Sequence, residues 1–198
     1  MNRVSSMSRA ELVRELIEPV HPTTVPDGQA ACSTSRGADP NFSDDATVAQ
    51  LVEHKLAVAR ELLMRDLYAR MKSGPVLSSP EAVREWLILH CAKLEREVFI
   101  VLHLDVRGRL IAAEEMFRGG LTECVVHIRE VVKSALERNA ASLILAHFHP
   151  SGDSTPSPAD HLLTANLKAA LNLIDVRVDD HFIVGGASAL SFAEQGLL

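Results

Sequence analysis

The sequence predicts an α/β fold in which a central mixed β-sheet is flanked by helices in three layers. Three observations point there. The run EVFIVLHLD (97–105) is β-branched and apolar throughout, as a strand buried on both faces must be. SLILAH (142–147) has the same character. Between and after these runs, segments of helical period alternate with strand-like ones, a pattern that packs helices onto a sheet.

Taken in order, the first element is a short helix over 8–18. Ser8 with Glu11 forms a capping box, and Leu12, Val13, Leu16 and Ile17 form an apolar stripe. Residues 21–46 are rich in Pro, Gly, Ser, Thr and Asp and read as a flexible linker. A helix is predicted over 47–72, stopped by Lys72-Ser73-Gly74-Pro75. The next begins at Ser79-Pro80, with Pro80 in the first turn and Val83, Trp86, Leu87 and Cys91 on the buried face. Strand 97–105, a turn at Asp105–Gly108 and strand 109–117 make a hairpin. A helix over 127–139, strand 142–147, a helix over 158–172, a strand within 176–186 and the terminal SFAEQGLL complete the chain. The expected organisation is an N-terminal extension (1–46), a helical lead-in (47–78) and one α/β domain (79–198), as 198 residues allow.

Composition narrows the function classes. The apolar fraction of 47% suffices for a core, and with 4% aromatics the packing falls to Leu, Val, Ile and Ala. Net charge is −6, and residues 78–198 hold eleven Lys/Arg against sixteen Asp/Glu. No basic face for phosphate binding is apparent, although the 51–72 helix carries five Lys/Arg against three Asp/Glu. The three cysteines, Cys32, Cys91 and Cys124, form no C-x-x-C pair, which argues against a disulfide framework. With no signal-like or membrane-length apolar run, a reducing cytoplasm is expected and no membrane partner. Motifs for zincins, P-loop NTPases, dinucleotide enzymes and α/β-hydrolases are absent.

The chemistry concentrates in LILAHFHPSGDSTPSPADHLL. His147 and His149 stand at i and i+2 near a strand end, so both imidazoles share a face. Asp160 sits in the first turn of the following helix, aimed back at them. Ser157-x-x-Asp160 is also a capping box, which by itself would explain both residues. A lone H-x-H is weak, but the combined pattern is specific: H-x-H at a strand end, Pro150, six residues, then S-x-x-D. Two His and one Asp are three ligands for zinc, one ion per chain, with a fourth position open to water as in catalytic sites. His181 follows two carboxylates and reads as a strand-end histidine or a partner to a ligand; Asp179-Asp180 reads as a solvated turn.

The run HFHPSGDSTPSPAD matches the signature of the JAMM (MPN+) metalloproteases. With EVFIVLHLD, AEEMFRGG, IREVVKSALERNAASLILAH and VRVDDHFIVGG, residues 79–198 resemble the RadC family of JAMM-domain proteins. Departures are Phe148 where the family usually has Asn, Gly119-Gly120 for Gly-Thr, and Ile128 for Pro; Phe148 puts in question a polar contact beside the site. No helix-hairpin-helix region is recognisable in 1–78, so the chain resembles a short form. The resemblance implies a JAMM/MPN, cytidine-deaminase-like architecture. It implies Glu97 as general base, with Glu95 as rival, and Ser157 as hydrogen-bond donor to the oxyanion, against its plain role as helix cap.

The expected activity is zinc-dependent amide or isopeptide hydrolysis on a peptide or isopeptide substrate, without strong autonomous DNA binding. Two rivals stand beside it: a DNA repair or recombination-associated accessory protein with a non-peptidase metal site, and a metal-dependent nuclease. A one-metal His2Asp site suits the second rival poorly.

Overall fold

Residues 98–104 alternate with no polar side to show to water, and in the computed structural model Val98–Leu104 (β1) is buried at every position. The structure describes residues 3–18, 41–76, 80–120 and 124–198. Two compact units divide the chain, Met1–Leu63 and Met64–Leu198.

In the first unit, helix α1 (Arg9–Ile17) starts with the expected capping box, Ser8 and Glu11 each bonding the other's backbone N–H. Of its apolar stripe only Leu12 is buried, against Val4 and Val58. Leu16 and Ile17 belong to the last turn, beyond that cluster, and are exposed. Helix α2 (Asn41–Ser73) begins six residues before the expected 47, since no Pro or Gly after Pro40 interrupts it. The rest of the expected linker, up to residue 40, lies outside the described residues.

The second unit contains α3 (Pro80–Cys91), β1, β2 (Leu110–Arg118), α4 (Ile128–Glu137), β3 (Ser142–His149), α5 (Pro158–Asn172), β4 (Arg177–Gly185) and β5 (Ser188–Ser191). The sheet order is β2-β1-β3-β4-β5. Its β3–β4 pair is parallel and the others antiparallel, so the sheet is mixed as expected. Asp105 Oδ1 accepts from the backbone N–H groups of Arg107 and Arg109, and Gly108 takes a φ of +71°, closing the β1–β2 hairpin. Strand β5 was not anticipated: its four residues are too few to show a period.

The pleat sorts side chains into two cores. Val98, Ile100, Leu102, Leu104, Ile144, Ala146 and Phe148 face α3 and the end of α2. Phe99, Val101, Leu143 and Leu145 face α4 and α5. Three layers result. Phe148 therefore points away from the face that carries its two neighbouring histidines, so a polar contact at position 148 is not part of that site.

Candidate metal centre

Strand pairing builds the site. β1 runs antiparallel to β3, with Phe99 opposite His147, so Glu97, just before β1, lies beside the end of β3 that carries His147 and His149. Glu97 is anchored to the end of β2 through Gly119 N–H to its carbonyl at 2.8 Å, and through its own N–H to the Gly120 carbonyl at 3.3 Å. The chain leaves β3 at Pro150 and returns at Ser157, the N-cap of α5, where Pro158 occupies the first turn. This loop rests on Gly185. A Cβ there would lie 2.5 Å from the Asp153 carbonyl carbon and 2.6 Å from the Ser154 nitrogen, so only glycine lets the loop approach β4.

His147, His149 and Asp160 each offer one ligand atom, and these atoms lie within 4.8 Å of one another. Asp160 is 2% exposed. Its Oδ1 lies 2.7 Å from His147 Nδ1 and its Oδ2 is 3.7 Å from His149 Nε2. Burial works to raise the Asp160 carboxyl, but hydrogen bonds from His147 and Ser157 outweigh it and hold the group far below the ordinary carboxylate range. His149 Nδ1 meets the Asp153 carbonyl at 3.0 Å; as the donor there, it leaves Nε2 with a free lone pair. His147 Nε2 is buried without a hydrogen-bond partner, 3.6 Å from Glu97 Oε2. An orphaned imidazole nitrogen between carboxylates fits a bound cation, and a two-nitrogen, one-oxygen donor set fits zinc.

Ser157 does what a cap does. Its Oγ accepts from Asp160 N–H at 3.2 Å, and its hydroxyl donates to Asp160 Oδ2 at 2.6 Å. Glu97 opens onto a cleft of about 450 Å³ that it shares with His147, His149, Ser157 and Asp160. Glu95 is exposed and does not line it.

The sequence reading offered His181 as a partner to a ligand but missed Thr164, which makes the link. His181 is fully buried; its Nδ1 meets Thr164 Oγ1 at 2.7 Å, and that hydroxyl donates to the Asp160 carbonyl at 2.6 Å. The ring is pushed down to about 3, first by burial and then by His147. Thr164, four residues after Asp160, was detectable as a hydroxyl one helical turn on. The Asp179-Asp180 pair is not a solvated turn but part of β4. Asp180 is buried and accepts from His181 N–H, Ala193 N–H and the Ser191 hydroxyl, tying the C-terminal segment to the sheet. Its carboxyl is raised by burial.

A sequence profile for the RadC-like JAB domain matches residues 77–197. The chain is 58% identical over 145 residues to a UPF0758 protein of Aromatoleum aromaticum, covering 73% of this chain and 64% of that one. It is 55% identical over 144 residues to a UPF0758 protein of Leptothrix cholodnii, covering 73% and 65%. A UPF0758 protein of Thiobacillus denitrificans is 44% identical over 198 residues, 98% of this chain and 84% of the relative. The matches to the first two thus span just under two thirds of their length.

Proposed function

The chain belongs to the RadC family of JAB-domain proteins, and from that premise we propose that it is a zinc-dependent hydrolase of the JAMM type that cleaves amide or isopeptide bonds. The observation that carries this reading is the buried, unpartnered His147 Nε2 set 3.6 Å from Glu97 Oε2 in an open cleft, beside His149 and Asp160. His147, His149 and Asp160 would hold the ion. When bound, zinc supplies Lewis-acid polarisation of a carbonyl and lowers the pKa of water to about 7.

The chain's own residues supply the rest. Glu97 has a side chain only 12% exposed and faces the cleft, where its carboxylate accepts a proton from the attacking water. As the C–N bond breaks, Glu97 returns that proton to the leaving amine. Ser157 has one hydroxyl proton, which here goes to Asp160 Oδ2. Donating to an oxyanion requires it to turn from Asp160 towards the cleft. Neither Cys91 nor Cys124 forms a disulfide among the described residues, which supports placing the reaction in a reducing cytoplasm. Among the described residues no helix is long and apolar enough to cross a membrane.

The test is Glu97→Gln, assayed on zinc-loaded full-length protein against peptide and isopeptide substrates. The variant is expected to keep one zinc per chain and to lose hydrolysis by about 100-fold or more, because a carboxamide cannot take the proton. Glu95→Gln should be unaffected. Full activity in Glu97→Gln would remove the assigned base.

A further inference from the structure

The walls of the cleft differ from its floor. The floor carries Glu97, His147, His149, Ser157 and Asp160. The walls are Cys124, Val125 and Val126 on the segment before α4, and Pro150, Ser151, Ala159 and Leu163 from the loop and α5, apolar apart from the Ser151 hydroxyl. Among the described residues no Lys or Arg lines the cleft. Val125 is 61% exposed at its edge, an apolar side chain that the protein itself leaves uncovered. Leu163 is half-buried, reaching the core under α5 on one side and the cleft on the other.

We infer that this cleft selects an uncharged stretch of polypeptide with an apolar side chain beside the cleaved amide, held between Val125 and Leu163, and rejects substrates carrying a phosphate or carboxylate there. The inference deepens the hydrolase reading and rests on it. Three observations converge. The cleft, about 450 Å³, lies in the range of pockets that take small groups or a short segment, not a folded surface. Its walls reward apolar contact. Away from the ion its electrostatics reward no anion: among the described residues the fixed charges lining it are the Glu97 and Asp160 carboxylates, which a divalent cation at the three ligands would offset without leaving an excess. A phosphate or carboxylate held against the walls beside the cleaved amide would lose its water and meet no guanidinium or ammonium among the described lining residues.

The experiment measures binding separately from turnover. Zinc-loaded full-length protein is titrated, by fluorescence anisotropy, with labelled decapeptides blocked at both ends. Each contains a non-cleavable, neutral ketomethylene link at the centre, flanked by Leu-Leu in one and Glu-Glu in another. A third titration uses labelled decathymidylate. The Leu peptide is expected to bind about tenfold tighter than the Glu peptide or more, the range one apolar pocket contact supplies, and decathymidylate should bind more weakly than either. Val125→Asp, at an exposed position that tolerates the change, should cut Leu-peptide affinity about tenfold. Val125→Lys should raise Glu-peptide affinity. The same peptides with ordinary amide links are then tested for cleavage. Absence of cleavage with the binding order intact would count against the hydrolase reading alone. Equal or tighter binding of the Glu peptide or decathymidylate, no response to Val125→Asp, or no binding of any ligand at millimolar concentration would overturn the inference.

Discussion

Two clusters on one face of the sheet join a histidine to a hydroxyl and a carboxylate, and they have opposite fates. At the β3 end, His147 meets Asp160, which Ser157 caps. Farther along β1, fully buried His103 meets Ser134 Oγ at 2.9 Å, and that hydroxyl reaches Glu114 Oε2 at 3.2 Å. The difference is the counter-charge. Glu114 is paired with the Arg138 guanidinium at 2.8 and 3.1 Å, which with the Ser134 hydroxyl overcomes the upward pull of burial and lowers its carboxyl. Asp160 has only histidines as ion-pair partners among the described residues, and it lines an open cleft. A buried carboxylate held by hydrogen bonds and histidines beside an open cleft suits an added cation, whereas one already paired with a guanidinium has less use for it.

The largest expected effect tests that contrast directly. Asp160→Ala or His147→Ala should abolish stoichiometric zinc, read by metal analysis after dialysis. Glu114→Gln should retain one equivalent. Equal loss in Glu114→Gln would erase the distinction between the two clusters.

The buried His103 should show itself in acid. His103 is pushed down to about 4, chiefly by burial and then by Arg138. The unfolded chain takes up a proton near pH 6.5, while the folded ring stays neutral until about 4. The stability this neutral ring contributes is therefore complete above 6.5, and it drains as pH falls towards 4. The shift corresponds to about 3 kcal/mol. Urea unfolding at pH 7 and 4.5 should show a smaller acid loss in His103→Gln than in the wild type. Identical losses would mean that His103 is not a buried neutral ring.

How far the sequence revealed the two clusters follows from what fixes each. The His147–Asp160 grouping was legible because its candidate ligands lie within fourteen residues and its geometry needs only a strand, a loop and a helix cap. The core strands were equally plain, since β1 and β3 are buried at nearly every position. The His103 cluster was invisible: Ser134 and Glu114 come from α4 and β2, and only strand register and helix docking bring them together. The cleft walls Val125 and Val126 carry no period to read, lying within 124–127, which have no regular structure. The stripe of α1 failed for the related reason that amphipathicity says which face can be buried, not how much of it finds a partner.

A smaller effect separates holding a ligand from being one. Thr164 passes His181's hydrogen bond to the Asp160 carbonyl. Thr164→Val keeps the shape and removes the hydroxyl. Zinc affinity, measured by competition with a chelating dye, should fall by about tenfold, as for other groups supporting a ligand, with stoichiometry still one. Thr164→Ser should restore it. A loss that serine failed to rescue would point to packing instead of the hydrogen bond.

The smallest effect concerns Arg138, which pairs with Glu114 beside the buried His103. Its guanidinium and the Glu114 side chain are 36% and 39% exposed, so water shares the work of stabilising both charges. Arg138→Gln should therefore cost only about 0.5 kcal/mol at neutral pH, in the range of solvent-exposed pairs. Zinc binding should not change, because Arg138 does not line the metal cleft. Its second consequence is sharper than the first. Arg138 helps keep His103 neutral, so removing it should raise the His103 pKa above about 4 and shrink the acid loss of stability relative to the wild type. An NMR titration of the His103 ring in Arg138→Gln checks this. A pKa that stayed put would leave burial alone as the cause, and a stability loss of several kcal/mol would show that the pair is not shared with water at all.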